Sequence, residues 1–277
     1  MRPLLVAFAL AFLGATASAA VDAEAPTHPG AAIRPAPPAA ADSTPGSLLP
    51  AVLDTTRGAS LAAADFPITL GSFTTTLVGS LPERTHNVRL AALALDGAVL
   101  RPGEELSFNE RVGPRTAERG YGAAPVILRE VRQVQVGGGV CQVASTLFDA
   151  ALLAGLTVVE RHRHSSPVDY VALGQDATIA WGVKDLRLRN DLEQSVRVRV
   201  EVVGSTFAAR IEGEEETGES FELETVVNES PAPDDVMGLP GRDVELYRVR
   251  ASGGQEVERE LIHRDHYPPS RSRTGLR

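Results

Sequence analysis

One segment constrains the fold more than any other, the run GGGVCQVASTLFDAALLAGL at residues 137–156. Its spacing predicts a helix that begins at Cys141 and continues to about Ala154, where Gly155 ends it. The polar side chains form one narrow stripe at positions i, i+3, i+4 and i+7, namely Gln142, Ser145, Thr146 and Asp149. A helix that is apolar around most of its circumference is buried rather than laid on a surface. We therefore expect this helix to be the centre of the domain.

The neighbouring segments predict strands around that helix. PVILREVRQVQV at 125–136 precedes it, TVVERHRH at 157–164 follows it, and SVRVRVEV at 195–202 alternates apolar with polar residues. Pro102 and Gly103 predict the turn of a further hairpin. The pattern predicts an α+β fold, in which a buried central helix with a cysteine at its N-terminus packs on an antiparallel sheet. An all-β C-terminal extension is expected to follow.

The first residues have the composition of an export signal. Arg2 precedes an apolar run from Leu4 to Leu13, and Ala17 and Ala19 supply the small side chains that signal peptidase accepts. The run is too short to be a permanent membrane span. We expect residues 1–19 to be a signal peptide and the protein to be exported to a periplasmic or extracellular location.

The rest of the chain divides by composition into three parts. Residues 20–47 are rich in alanine and proline and have almost no large apolar side chains, so we expect a disordered linker. Residues 48–213 are the predicted folded domain, and residues 214–277 are the predicted β extension.

Charge and cysteine content narrow the classes of function. The chain of 277 residues has a net charge of −9, and its basic residues are arginines except for Lys184. Scattered arginines in an acidic chain make no stripe for a phosphate backbone, so nucleic acid is not an expected partner. A single cysteine in an exported chain cannot form an internal disulfide. Cys141 is therefore buried and inert, paired with another molecule, or reactive.

The position of Cys141 favours a reactive thiol. The positive end of the helix dipole favours the thiolate, and free N–H groups there can stabilise an oxyanion. His162 and His164 alternate along the next predicted strand, and Asp176 and Asp185 follow. Cysteine, histidine and acid in this order are typical of papain-like and transglutaminase-like thiol enzymes.

We assign roles to these residues as a hypothesis. Cys141 is the nucleophile, and His164 is the base because it opens the polar segment HSSPVDY. Asp176 orients the imidazole ring, and the N–H of Cys141 or Gln142 meets the oxyanion. In the alternative interpretation Cys141 is a small buried apolar residue, and one of the histidines caps a strand edge or satisfies a core hydrogen bond.

Several further residues are candidates for binding substrate. Arginines in the polar loop at 112–124 could hold a carboxylate bidentately, and the glycines at 137–139 let the backbone approach a ligand closely. No cofactor or metal is expected, because the cysteine and the two histidines could share a zinc ion but no fourth ligand is evident. The candidate binding residues are Arg115, Arg119, Tyr121, Gly138, Gly139, His162 and Asp185.

Four runs of the sequence resemble the VanW family, which is named after a protein of glycopeptide-resistance gene clusters. The runs are FNERVGPRTAERGYGAAPVI, GGGVCQVASTLFDAALLAGL, ERHRHSSPVDYV and GQDATIAWGVKDLRLRN. The resemblance extends from about Phe73 to Val203, and the helix reads VASTLFDA where the family pattern reads VSTTLYNA. The tail at 241–269 resembles the five-glycine β module of cell-wall proteins.

The resemblance implies a cell-envelope protein that acts on or at peptidoglycan, with cell-wall peptide or glycan as its partner. Two classes of function remain open. In the first, the protein is a cysteine-dependent amidase, peptidase or transpeptidase. In the second, it is a non-catalytic peptidoglycan-binding or scaffolding protein whose cysteine is structural.

Cleavage by signal peptidase is expected after Ala19, so the mature protein begins at Ala20. Mass spectrometry of exported material measures the N-terminus directly. Intact protein that retains Met1 and stays in the cytosol would contradict export.

Overall fold

The computed structural model describes residues 65–128, 131–230 and 238–271. The predicted signal peptide and linker lie outside the described residues. The helices are α1 (Pro82–Leu95), α2 (Phe108–Val112) and α3 (Val140–Leu153), with a 3₁₀ turn at Ala117–Arg119. The strands up to α3 are β1 (Ile68–Thr76), β2 (Val99–Leu100), β3 (Glu105–Ser107), β4 (Ala123–Leu128) and β5 (Val131–Val136). The later strands are β6 (Thr157–Glu160), β7 (Arg187–Arg189), β8 (Val196–Val203), β9 (Thr206–Gly213), β10 (Glu219–Ser230), β11 (Gly238–Leu239), β12 (Gly241–Ser252), β13 (Gln255–Tyr267) and β14 (Ser270–Arg271).

The predicted α+β class is wrong, because the protein is mostly β. The described residues form several sheets and 14 strands but only three α-helices, of which α2 has five residues. The prediction gave too much weight to the helical period of residues 137–156. Many strands have only two or three residues, and so short a strand leaves almost no alternating pattern in the sequence.

The main sheet is antiparallel, with the strand order β1-β9-β8-β2. Val196, Val198 and Val200 of β8 are buried at every second position, as their alternation predicts. Helix α3 contacts β1 and β9 of this sheet, and all but two of its residues are buried. Gly71 allows the contact with β1, because a Cβ atom there would lie 2.4 Å from the backbone nitrogen of Ala154.

The predicted hairpin at Pro102 and Gly103 is wrong. Strand β2 pairs with β8, and β3 pairs with β7 in a second sheet of order β3-β7-β6. The turn therefore carries the chain from one sheet to another. Strands β4 and β5 form a separate antiparallel pair that leads into α3.

The C-terminal strands form a three-stranded antiparallel sheet of order β10-β12-β13. This sheet lies against the end of α3. The ring of Phe221 occupies the space next to Gly155, and Arg248 donates a hydrogen bond to the Leu156 carbonyl at 2.8 Å. The domain boundary after residue 213 stays a prediction. No helix in the described parts of the chain is long and apolar enough to cross a membrane.

Candidate functional site

Three glycines shape the start of α3. Gly139 caps the helix with a positive φ of 103°, which favours glycine. A Cβ atom on Gly138 would lie 2.5 Å from the Ala124 carbonyl oxygen, so the chain can pass β4 only without a side chain. Asn87 of α1 holds this segment, because its amide donates to the Gly138 carbonyl at 2.9 Å. These contacts fix the position of Cys141, the second residue of the helix.

The thiol of Cys141 lies in a cleft of about 890 Å³, which we call the thiol cleft. The residue is half-buried. Its sulfur lies 3.6 Å from the Thr178 hydroxyl oxygen and 3.8 Å from the Ile179 carbonyl oxygen. The segment after Asp176 therefore forms the wall of the cleft next to the sulfur.

His164 lies between Cys141 and Asp176. Its Nδ1 is 2.6 Å from Oδ2 of Asp176, and its backbone N–H donates to the same oxygen at 2.7 Å. Because a carboxylate only accepts, Nδ1 carries a proton, and Nε2 is the ring nitrogen left to interact with Cys141, which lines the same cleft. Both side chains are buried, with 8% and 3% of their surface exposed.

The electrostatics of the pair favour a thiolate beside an imidazolium. Burial opposes the thiolate, but the hydrogen bond and charge of His164 outweigh it and lower the pKa of Cys141 to about 7. Burial likewise opposes the imidazolium, but hydrogen bonds to Asp176 and Cys141 raise the pKa of His164 to about 9. The thiol therefore ionises below the pH at which the imidazolium loses its proton, and the ion pair exists between these values.

The carboxylate of Asp176 is held from behind by a second set of residues. Arg161 donates to its Oδ1 at 3.0 Å and to its backbone carbonyl at 2.7 Å. Asp265 accepts from Arg161 with both carboxylate oxygens at 2.7 Å. Tyr267 donates to Asp176 at 3.3 Å. Burial raises the pKa of Asp176, but His164 and Arg161 lower it further, so the carboxylate stays ionised.

Sequence reasoning missed this support. Asp265 and Tyr267 lie on β13, about a hundred positions after Arg161 and inside the predicted extension. No local spacing connects residues so far apart in the chain. The clue that the sequence does offer is the run ERHRH, in which Arg161 lies directly before His162.

Gln142 does not face the thiol cleft with its backbone amide. That N–H donates to the Gly139 carbonyl at 3.0 Å, and the side-chain amide donates to the Thr75 hydroxyl and the Thr76 carbonyl, both at 2.9 Å. Among the described residues, no backbone carbonyl accepts from the N–H of Cys141. The amide of Cys141 is therefore the better placed of the two predicted oxyanion donors.

The structure does not bring His162 to the thiol. Strand β6 ends at Glu160, so the predicted alternation of His162 and His164 along one strand is wrong. The ring of His162 lies 2.9 Å from the Glu160 carboxylate, which also accepts from the backbone of Asp185 at 3.0 Å. Within the described residues, no three His, Cys, Asp or Glu side chains are arranged to hold a metal ion.

Asp185 supports the fold next to the site. Its carboxylate accepts from the Ser107 hydroxyl at 2.5 Å and from the Asn109 backbone at 2.8 Å, which stabilises the start of α2. Arg119 donates to the Val112 carbonyl at 3.0 Å and lies against Gly113.

Of the predicted loop residues, only Arg115 lines the thiol cleft. Its guanidinium donates to Asn109 at 2.7 Å and to the Gly113 carbonyl at 3.0 Å. Tyr121 is 4% exposed and belongs to the hydrophobic core.

The polar stripe on α3 is entirely buried. Thr146 meets Thr75 of β1 at 2.9 Å, and Ser145 accepts from the backbone of Ala177 at 2.8 Å. Asp149 has no hydrogen-bond partner for either carboxylate oxygen among the described residues, and burial raises its pKa well above the ordinary value. Gln142, Ser145 and Thr146 thus connect α3 to its surroundings, and of the stripe residues Gln142 also lines the thiol cleft.

The part of the chain that is similar to known proteins contains Cys141, His164 and Asp176. Residues 83–212 match the family described as VanW like protein. The chain is 43% identical over 138 residues to "Uncharacterized protein YoaR" of Bacillus subtilis, covering 50% of this chain and 46% of that protein. It is 30% identical over 136 residues to "Vancomycin B-type resistance protein VanW" of Enterococcus faecalis, covering 46% of this chain and 50% of that protein. The chain thus spans about half the length of these relatives, and no solved structure matches it significantly.

Asp265→Asn should destabilise the protein and disturb the support that Arg161 gives to Asp176. Loss of one charge from a buried pair should lower the free energy of unfolding by about 3 kcal/mol. The unbalanced Arg161 should draw Asp176 away from His164 and so raise the apparent pKa of Cys141 above about 7. Denaturant unfolding measures the stability, and the pH dependence of iodoacetamide labelling measures the pKa.

Asp243→Asn is the matched control. Asp243 of β12 pairs with His266 of β13, the strand that also carries Asp265, but both side chains are more than half exposed. Asp243→Asn should change neither the free energy of unfolding nor the apparent pKa of Cys141. A labelling profile for Asp265→Asn that overlays that of the wild type would contradict the positioning role of Asp265.

Proposed function

We propose that this chain is a VanW-family protein of the cell envelope, that it is exported, and that it uses Cys141 to attack an amide or peptide bond of peptidoglycan. The observation that supports this most is that Cys141 and His164 line the same cleft, with the His164 ring held by Asp176 at 2.6 Å. A nucleophile, a base and a group that orients the base are the elements of covalent acyl transfer.

The reaction begins with a thiolate that already exists near neutral pH. The sulfur attacks the substrate carbonyl carbon, and the carbonyl oxygen becomes an oxyanion near the N–H of Cys141 at the positive end of α3. The His164 imidazolium gives its Nε2 proton to the leaving amine as the carbon–nitrogen bond breaks. The products of this half are a free amine and a thioester on Cys141.

The second half restores the enzyme. Neutral His164 takes a proton from water, for hydrolysis, or from an amine, for transfer, and that nucleophile attacks the thioester carbon. The carbon–sulfur bond breaks, and Cys141 leaves as the thiolate beside the protonated imidazole. Asp176 stabilises the imidazolium throughout and takes no proton itself.

Two features support peptidoglycan as the substrate. One relative is named as a vancomycin B-type resistance protein, which favours cell-wall peptide as the target. The signal sequence predicted at residues 1–19 would deliver the protein to the compartment that contains the cell wall. The alternative to this proposal is that the protein binds peptidoglycan or serves as a scaffold, and that its cysteine is structural.

Cys141→Ala, His164→Ala and the double variant test the unit directly. The effects of substituting groups that act together are not additive. Each single substitution should therefore lower the activity nearly as much as the double substitution does, about 10³-fold or more. The activity is measured as release of amines from purified wall peptides. Intact-mass spectrometry should find a peptide adduct on the wild type that hydroxylamine removes, as expected of a thioester.

Ser165→Ala is a suitable control, because Ser165 lines the same cleft and its hydroxyl makes no hydrogen bond to Cys141 or His164 in the described structure. It should keep the activity within a few-fold. If Cys141→Ala folds like the wild type and fully complements a deletion phenotype in antibiotic sensitivity, the enzymatic proposal fails and the binding role is favoured.

A further inference from the structure

The charge of the thiol cleft differs from that of the chain. The chain carries a net charge of −9, but the described residues that line the cleft include Arg84, Arg115 and Lys184 and only one acidic residue, Asp169. A concave site lined by one sign of charge concentrates ligands of the opposite sign. The cleft is therefore suited to an anionic ligand.

Lys184 is the most informative of these cations because it is the chain's single lysine. The residue is half-buried, and its ammonium group makes no hydrogen bond or ion pair with any residue that the structure describes. The adjacent carboxylate of Asp185 is engaged by Ser107 and Asn109. The charge of Lys184 is thus available to a ligand.

Arg115 offers a second point of attachment. Its NH1 nitrogen is engaged by Asn109 and Gly113, but Nε and NH2 have no acceptor among the described residues. Partial burial lowers the pKa of Arg115, although the group remains a cation. A guanidinium edge with two free donors matches the two oxygens of a carboxylate.

The backbone ties Lys184 to the wall that holds the nucleophile. The sulfur of Cys141 contacts Thr178 and Ile179, and the next residue, Ala180, exchanges backbone hydrogen bonds of 2.9 Å with Lys184. The turn between them exposes Trp181, which lines the cleft and is the chain's single tryptophan. Lys184 and the reacting sulfur therefore belong to the same wall and line the same cleft.

We propose that Lys184 and Arg115 bind a carboxylate of the peptide that Cys141 attacks, so that the site selects anionic peptides. The inference rests on the proposed function, because it names the chemical class of its acyl donor. Lys184 contributes charge near the thiol, and Arg115 contributes the directed pair of donors.

Two alkylating reagents of similar shape test the charge of the site. Iodoacetate carries a carboxylate and iodoacetamide is neutral, so the ratio of their rates with Cys141 reports the preference for an anion. Lys184→Gln should lower this ratio about five-fold, because the cleft loses one of the positive charges that attract the carboxylate of iodoacetate. The ratio reports the preference for an anion alone, because both reagents react with the same thiolate and a change in its ionisation cancels between them.

Lys184→Arg should restore the ratio, because it keeps the charge. Arg189→Gln is the control, since Arg189 is an exposed arginine paired with Asp191 outside the cleft. It should leave the ratio at the wild-type value. The proposal is overturned if Lys184→Gln and Arg189→Gln have the same ratio as the wild type.

The fluorescence of Trp181 separates this inference from the proposed function, because it needs no reactive thiol. N-acetyl-alanyl-alanine, which has a free carboxylate, should change the emission at lower concentrations than its C-terminal amide. Lys184→Gln should remove that difference. An equal response to both peptides would overturn the anionic subsite, whereas a thiol inert to iodoacetamide with the difference intact would overturn only the enzymatic proposal.

Discussion

The carboxylate of Asp176 is the group on which the rest of the site depends. It accepts from the ring and from the backbone of His164, and on its other side it accepts from Arg161 and Tyr267. A buried carboxylate is costly unless it is paired and hydrogen-bonded, and this one has four donors. Its position determines the orientation of the imidazole and therefore the state of the thiol.

A series of five charged groups runs from the C-terminal sheet to the cleft. Asp265, Arg161, Asp176, His164 and Cys141 follow one another with alternating sign. Each inner group has an opposite charge on both sides, which offsets the loss of hydration in a buried place. The thiolate at the end of the series faces the cleft, where it can react. The C-terminal sheet is thus part of the support of the site, although it lies beyond the residues that match the family.

The sequence predicted what depends on local pattern and missed what depends on distant contacts. The period of residues 137–156 located α3 to within one or two residues, and the alternation of β8 identified its buried valines. The structure brings together Cys141, His164 and Asp176, whereas the catalytic roles given to them stay predictions. The α+β class failed because short strands such as β2 and β3 pair with partners that no turn signal indicates. Arg161 and Asp265 could not be connected for the same reason.

The protonation state of His164 tests the central claim most directly. Nitrogen-15 NMR of histidine-labelled protein reports the protonation of each ring nitrogen. It is recorded at pH 8, which lies between the pKa of Cys141, about 7, and that of His164, about 9. Both ring nitrogens of His164 should carry a proton at this pH, and Cys141→Ser, which removes the thiolate, should lower the pKa of the ring. A His164 ring that carries a single proton at pH 8 in the wild type would contradict the ion pair and the chemistry built on it.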